Sequence, residues 1–161
     1  MKRAKIDDLD LQILKELQAD GRITNVELAA RVGISAPPCL RRVRALEKAG
    51  YILGYHADLD GRALGFEVTV FAMVGLHSQA EADLKAFEAM VGTWPLVREC
   101  HMLNGDIDFI LKCVAPDLST FQSFLTEHLT SAPNVASVRT SLTIRRSKHQ
   151  PGVPLEALET E

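Results

Sequence analysis

Thr24–Gly50 reads TNVELAARVGISAPPCLRRVRALEKAG, and its punctuation decides what the first third of the chain is. Thr24 and Glu27 form a T-x-x-E capping box, so a helix can start at Asn25 with two orphan amides satisfied. Val26, Leu28, Ala29 and Val32 are its apolar and small positions. Gly33 follows where the helix must stop in a left-handed conformation, which glycine reaches at least cost. Ser35 then caps a second helix, with Pro37 and Pro38 in its first turn, where a missing N–H costs nothing. Small Ala29, four residues before Gly33, lets the two helices cross closely at a steep angle. The stretch predicts a helix-turn-helix.

The second helix divides by face. At about 100° per residue, Cys39, Leu40, Val43 and Leu46 share a packing side. Arg41, Arg44 and Lys48 line the opposite side with Pro37 and Ala45 beside them, and Arg42 lies on the flank. A solvated amphipathic helix with idle arginines would show the same charge. Here capping box, glycine turn, small residue and one-sided cations coincide, and that agreement points to DNA recognition by Ser35, Pro37, Pro38, Arg41, Arg42, Arg44 and Lys48.

Working outward, Met1–Lys5 is a basic leader, read as mobile. Asp7 or Asp8 caps a first helix whose apolar stripe is Leu9, Ile13, Leu14 and Leu17. Three helices make a headpiece, the smallest unit that gives the recognition helix something to pack on. Tyr51–Ala57 is β-like, either a wing strand or the start of a linker. The turn-rich DLDGRALG of residues 58–65 is read as a hinge between domains at 1–57 and 66–146.

Beyond the hinge, Phe66–Leu76 alternates but is apolar at Phe71 and Met73 as well, as in a strand covered on both faces. Ser78 and Glu81 form an S-x-x-E box before a helix with Leu84, Phe87, Met90 and Val91 on its core stripe. Leu96–Leu103 and Ile107–Val114 read as strands joined by a hairpin turn at Asn104-Gly105. Asp117 caps a helix with Leu118, Phe121, Leu125 and Leu129 on one side, and Val135–Ile144 is the last strand. The order β-α-β-β-α-β predicts a four-stranded antiparallel sheet with both helices on one face, and a bare face that self-association would cover. Residues 147–161 are polar, with Pro151 and Pro154, and read as a loosely held tail.

Two stretches carry a family resemblance. DGRITNVELAARVGISAPPCLRRVRALEKAGYILGY resembles the DNA-binding region of the Lrp/AsnC ("feast/famine") transcription regulators, and ECHMLNGDIDFILK resembles their ligand-sensing domain. The resemblance runs from about Ile6 to about Arg146. It implies an α+β protein: a winged-helix-like helix-turn-helix domain followed by a ferredoxin-like, RAM-type βαββαβ sandwich. It also implies a linker strand that helps dimerise, with assembly to tetramers or octamers. Taken alone, Asn104–Asp108 is a plain hairpin turn with solvent-facing aspartates. The resemblance makes Gly105, Asp106 and Asp108 part of an amino-acid effector pocket between subunits. A carboxylate there would take the effector's ammonium. Met102 and Leu118 would add apolar contact, and Ser141, Leu142 and Thr143 would face the same cleft.

The formal net charge is −3, yet residues 31–50 hold five cations and one acid. The local patch governs phosphate contact, because distant exposed charges are screened. A hydrophobic content of 47% with 24% charged residues is ordinary for a globular chain, and no apolar run approaches the ~20 residues of a membrane span. Neither a signal core nor zinc spacing occurs. Cys39, Cys100 and Cys113 read as buried, reduced thiols of a cytoplasmic protein, with a redox role for Cys39 as a minor alternative. Glu99 and His101 could look catalytic with Asp108, but no nucleophile motif, phosphate loop or metal cluster accompanies them. The expectation is a regulator that is not an enzyme, needs no cofactor or metal, and has double-stranded DNA, an amino acid and its own copies as partners, with no membrane attachment. Two other readings compete. One is an architectural, nucleoid-type DNA-binding protein. The other is a small-molecule-binding α/β module with a helical interaction headpiece.

Overall fold

The computed structural model describes residues 6–158, so the basic leader Met1–Lys5 lies outside the described residues. The chain forms two compact units: a headpiece of residues up to 58 joined by those from 148 onward, and a sensory unit of residues 59–147.

The headpiece is built from α1 (Asp8–Ala19), α2 (Asn25–Arg31) and α3 (Ala36–Lys48). Asp7 is the N-cap of α1 and forms a reciprocal capping box with Asp10. Thr24 and Glu27 do the same for α2. Gly33 takes φ +74° in the turn, and the Ile34 N–H bonds back to the Ala29 carbonyl at 3.0 Å. Ile13, Leu28, Ala29, Val32, Cys39, Val43 and Leu46 form the core, closed by half-buried Leu9, Leu14, Leu17, Tyr51 and Ile52. At about 1.5–3 kcal/mol per large apolar side chain, this burial is the main force holding three short helices together.

Three local expectations for this unit are corrected. Ser35 sits at the N-cap of α3, but its hydroxyl makes no capping bond. Leu40 and Val26 are exposed at 37% and 69%, because each lies off the narrow stripe that reaches the core. Residues 52–60 carry no strand. A strand needs a neighbour to take its amides, and none of the strands described in this chain pairs with this segment.

The sensory unit runs β1 (Val68–Leu76), α4 (Glu81–Val91), β2 (Val97–Met102), β3 (Phe109–Ala115), α5 (Leu118–Phe124) and β4 (Val135–Leu142). Its sheet has the order β2-β3-β1-β4 with every neighbouring pair antiparallel, the βαββαβ arrangement expected. Val70, Ala72 and Val74 of β1 and Phe109, Leu111 and Cys113 of β3 meet Phe87, Val91, Phe121 and Phe124 from the helices. Phe71 and Met73 point to the other face, where Phe71 is 37% exposed. α5 winds into a π-helical turn at Leu125–Leu129, which carries Leu129 into the core.

Here too the sequence signals are displaced. The S-x-x-E box does not form: Ala80 is the N-cap of α4, and the Ser78 hydroxyl donates to Asp83 instead. The β2–β3 connection is not a two-residue turn. The Leu103 N–H bonds to the Asp108 carbonyl at 2.8 Å, leaving a loop of Asn104 to Ile107 in which Gly105 alone has positive φ.

The tail is held. The Gln18 side-chain amide donates to the Val153 carbonyl (2.8 Å) and accepts from the Val153 N–H (2.9 Å), and Leu155 is buried at the start of a 3₁₀ turn, Leu155–Leu158. Backbone hydrogen bonding, which composition does not report, explains why a polar segment docks. No helix among the described residues is long and apolar enough to cross a membrane.

Candidate functional site

α3 is about 20 Å long at 1.5 Å per residue. Cys39, Val43 and Leu46 are buried along one side. Pro37, Arg41, Arg44 and Lys48 follow at i, i+4, i+7 and i+11, which places them within an arc of about 60° opposite that side. All four are exposed, as is Ser35 at the helix entrance, while Pro38 is half-buried. A helix fixed by its buried side therefore presents three cations in one row, the arrangement that meets phosphates and base edges in a major groove.

Arg42 does not join that row. Its guanidinium reaches α1 and bonds both carboxylate oxygens of Asp7 (3.0 and 2.8 Å) and Oδ1 of Asp10 (2.7 Å). These contacts raise its pKa, chiefly through the hydrogen bonds to Asp10 and then Asp7. They couple the rotation of α3 to the capping box of α1. At i+5 from Pro37, Arg42 lies about 140° from the exposed row, toward the packed side. Glu47, the one acid of α3, accepts from the Tyr55 hydroxyl at 3.0 Å, and the Tyr55 pKa is pushed up to about 12 by desolvation and by that carboxylate.

Residues that positional reading missed hold the turn. The Asn25 side chain donates from Nδ2 to the Ala36 carbonyl at 2.8 Å, pinning the start of α2 to the start of α3. Its Oδ1 is buried without a partner. Arg31 of α2 pairs with Glu16 of α1 at 2.8 Å. The clue to these was position beside a helix end rather than any motif.

In the sensory unit the effector candidates fall into two groups. Met102 ends β2, and Gly105 and Asp106 lie in the β2–β3 loop. Asp108 follows that loop, beside the C-terminal end of β1, since Phe109 pairs with Val74. Ser141 and Leu142 pair with Phe71 and Val70, and the Thr143 N–H bonds to the Thr69 carbonyl, all toward the opposite end of β1. Leu118 begins α5 just after Ala115, which pairs with Val68, so it too belongs to the second end. From Val70 to Leu76 a strand spans roughly 20 Å at 3.3 Å per residue. One chain therefore does not bring the eight residues into one cleft.

Asp108 is also not free. It is 9% exposed, its carboxylate accepts the Leu76 N–H at 2.6 Å, and its own N–H bonds to the Val74 carbonyl. It thus caps β1 at the point where the register to β4 shifts, between Gly75 and Leu76. Asp106, by contrast, is exposed. Met102, Leu118 and Leu142 expose 59%, 47% and 55% of their surface.

Two residual readings meet their chemistry here. Glu99 pairs with Lys112, which holds its carboxyl below the usual range, and lies 3.4 Å from His101, while Asp108 turns to Leu76. Cys39 is fully buried, and desolvation raises its thiol pKa, against the thiolate a redox role requires. Among the described residues no group of three or more His, Cys, Asp or Glu side chains is placed to hold a metal.

Residues 6–52 match the family described as winged helix-turn-helix DNA-binding, and residues 69–153 match the Lrp/AsnC ligand binding domain. The chain belongs to the Lrp/AsnC family of transcriptional regulators. It is 60% identical over 146 residues to the leucine-responsive regulatory protein of Rhizobium meliloti, covering 91% of this chain and 94% of the relative. It is 41% identical over 143 residues to the protein of that name from Escherichia coli K12, covering 89% and 87%. Among solved structures it is similar to a Neisseria meningitidis transcriptional regulator in complex with L-Met, with a TM-score of 0.90 at 35% identity over 96% of this chain and 99% of that one. An AsnC family regulator from Agrobacterium tumefaciens superposes with a TM-score of 0.88 at 31% identity, over 95% and 99%. As a member of the Lrp/AsnC family the protein is a regulator, not an enzyme, with a DNA-binding headpiece and a ligand-binding unit.

Proposed function

We propose that this Lrp/AsnC protein is a sequence-specific regulator of amino-acid metabolism or transport genes, that an amino acid with an apolar side chain modulates it, and that it works in the cytoplasm as a dimer or larger assembly. The observation that carries the DNA reading is the exposed row of Pro37, Arg41, Arg44 and Lys48 on a helix whose opposite side is buried. Ser35 and Pro38 stand at its entrance, and Arg42 contributes by fixing the helix rather than by reaching DNA.

The effector reading draws on relatives named leucine-responsive and on the L-Met complex of the Neisseria regulator. Exposed Asp106 is the carboxylate free to take an ammonium, and Met102, Leu118 and Leu142 supply apolar surface. Because Gly105, Asp106 and Asp108 lie at one end of the sheet and Leu118, Ser141, Leu142 and Thr143 at the other, the pocket takes one group from each of two copies. Exposed Phe71, Leu53 and Leu59 supply apolar surface for such contact.

The test is binding to a candidate promoter against bulk competitor DNA, with leucine or methionine present and absent. The amino acid is expected to change promoter affinity by about 5–150-fold, the usual range of a coupling between sites. Competitor DNA that displaces the promoter at equal concentration would establish the architectural reading instead.

A further inference from the structure

The chain leaves the headpiece at residue 58, builds the sensory unit, and returns to the headpiece at residue 148. The return is specific. A primary amide bonding both the N–H and the C=O of one residue, as Gln18 does with Val153, is a two-point recognition of extended backbone. Gly152 has φ +82°, and a Cβ there would lie 2.1 Å from the Gln18 Oε1, so any other residue would be strained and would displace the recognising amide. Leu155, two residues beyond Val153, is buried. His149 lies 3.2 Å from Asp58, an exposed pair that adds little by itself.

We propose that residues 148–158 are a clasp: a docking peptide recognised by α1 through Gln18, which gives the DNA-binding unit a second attachment to the sensory unit besides the hinge. Two attachments restrict the headpiece more than one, so part of the ordering needed to engage DNA is met before DNA arrives. The clasp begins six residues after Leu142 along the chain, so any ordering of the end of β4 by a ligand passes to it through the backbone. That last consequence rests on the effector reading above; the clasp itself does not.

The test uses full-length protein and no amino acid. Gln18→Ala and, independently, Gly152→Ala are compared with wild type by hydrogen exchange at the Val153 amide, and by affinity for an operator selected from random-sequence DNA with the wild-type protein. Release of the clasp is expected to abolish protection at Val153 and to weaken operator binding about three- to tenfold, because a segment left mobile must then be ordered when DNA binds. A peptide of residues 148–158, added to protein lacking residues 148–161, is expected to leave affinity low, because it docks without tethering. Wild-type protection at Val153 in both variants would overturn the clasp. Affinity within twofold of wild type once protection is lost would overturn its role in DNA binding. Rescue by the free peptide would assign the segment to local support of α1. If no operator is selected, the sequence-specific reading fails, while the exchange measurement still decides whether the clasp exists.

Discussion

The headpiece carries its candidate surface on one helix, and the sensory unit divides its candidate pocket between two ends of one sheet. The difference follows from what each element can offer. A helix with a buried side turns residues four and seven apart onto a common exposed row, so one chain completes the surface. An antiparallel strand puts its two termini at opposite ends of the sheet, so candidate residues in the β2–β3 loop and at the end of β4 lie far apart within one chain. A surface of the first kind is complete in one copy, whereas a ligand site completed by two copies, as proposed above, would be coupled to assembly, because binding would favour the associated state by mass action.

The largest effect expected from breaking this comparison is on DNA. Each of Arg41→Ala and Arg44→Ala should weaken specific binding by about 1–3 kcal/mol if the side chain reads a base edge. The double variant should then lose roughly a hundredfold or more in operator affinity, with the thermal midpoint unchanged because neither residue is buried. Titration at fixed salt measures it, and an unchanged affinity would remove α3 from the interface.

The divided pocket can be tested by complementation. Asp106→Ala damages one end of the sheet and Leu142→Asp the other, both at exposed positions. Each homogeneous variant should bind no amino acid in calorimetry. A co-refolded mixture should regain binding, because a heterodimer contains one site with both ends intact. No recovery would place the pocket within a single chain or away from these residues.

Asp108 sharpens the same point through stability. Asp108→Ala leaves the Leu76 N–H buried without a partner, which should cost about 1–3 kcal/mol. Asp106→Ala should stay within about 0.5 kcal/mol of wild type, as exposed substitutions do. Denaturant unfolding of the two variants separates a structural carboxylate from an exposed one. Equal stabilities would mean that the Leu76 contact contributes nothing.

How far these features could be read in the sequence depends on the range of the interaction. The capping box of Thr24 and Glu27, the Gly33 turn and the α3 row are set within a few residues, and periodicity recovers them. The βαββαβ order was equally legible, because strands alternating with helices leave few topologies. What was lost lies at longer range. Arg42 looks like a member of a basic cluster until Asp7 and Asp10, more than thirty residues earlier, are brought beside it. Ser78 matches a capping box, yet its hydroxyl finds Asp83 two residues beyond the expected partner. Asp108 carries no mark of burial, since the Leu76 amide that occupies it is thirty-two residues away. The effector candidates rest on resemblance alone, and resemblance does not say that they sit at opposite ends of a sheet.

The smallest expected effect separates Arg42 from Lys48. Both are cations of α3, but Lys48 belongs to the exposed row, whereas Arg42 is bound to the α1 cap. If Lys48 meets a phosphate, Lys48→Ala should reduce the salt slope of DNA binding by about one. Arg42→Ala should leave that slope unchanged and alter the acid limit of the headpiece instead. The Asp7 pKa is lowered, first by the Asp10 backbone amide and then by Arg42. A carboxylate with a depressed folded-state pKa contributes stability that is fully present above its unfolded value, near pH 4, and is lost as the pH falls through the folded value. In wild type the α1–α3 attachment should therefore persist to somewhat below pH 4. In Arg42→Ala part of the depression disappears, and acid unfolding of the headpiece should begin at higher pH. Circular dichroism across pH 2–6 reads this directly. A salt slope lowered by Arg42→Ala, with an unmoved acid transition, would return Arg42 to the DNA-contacting row.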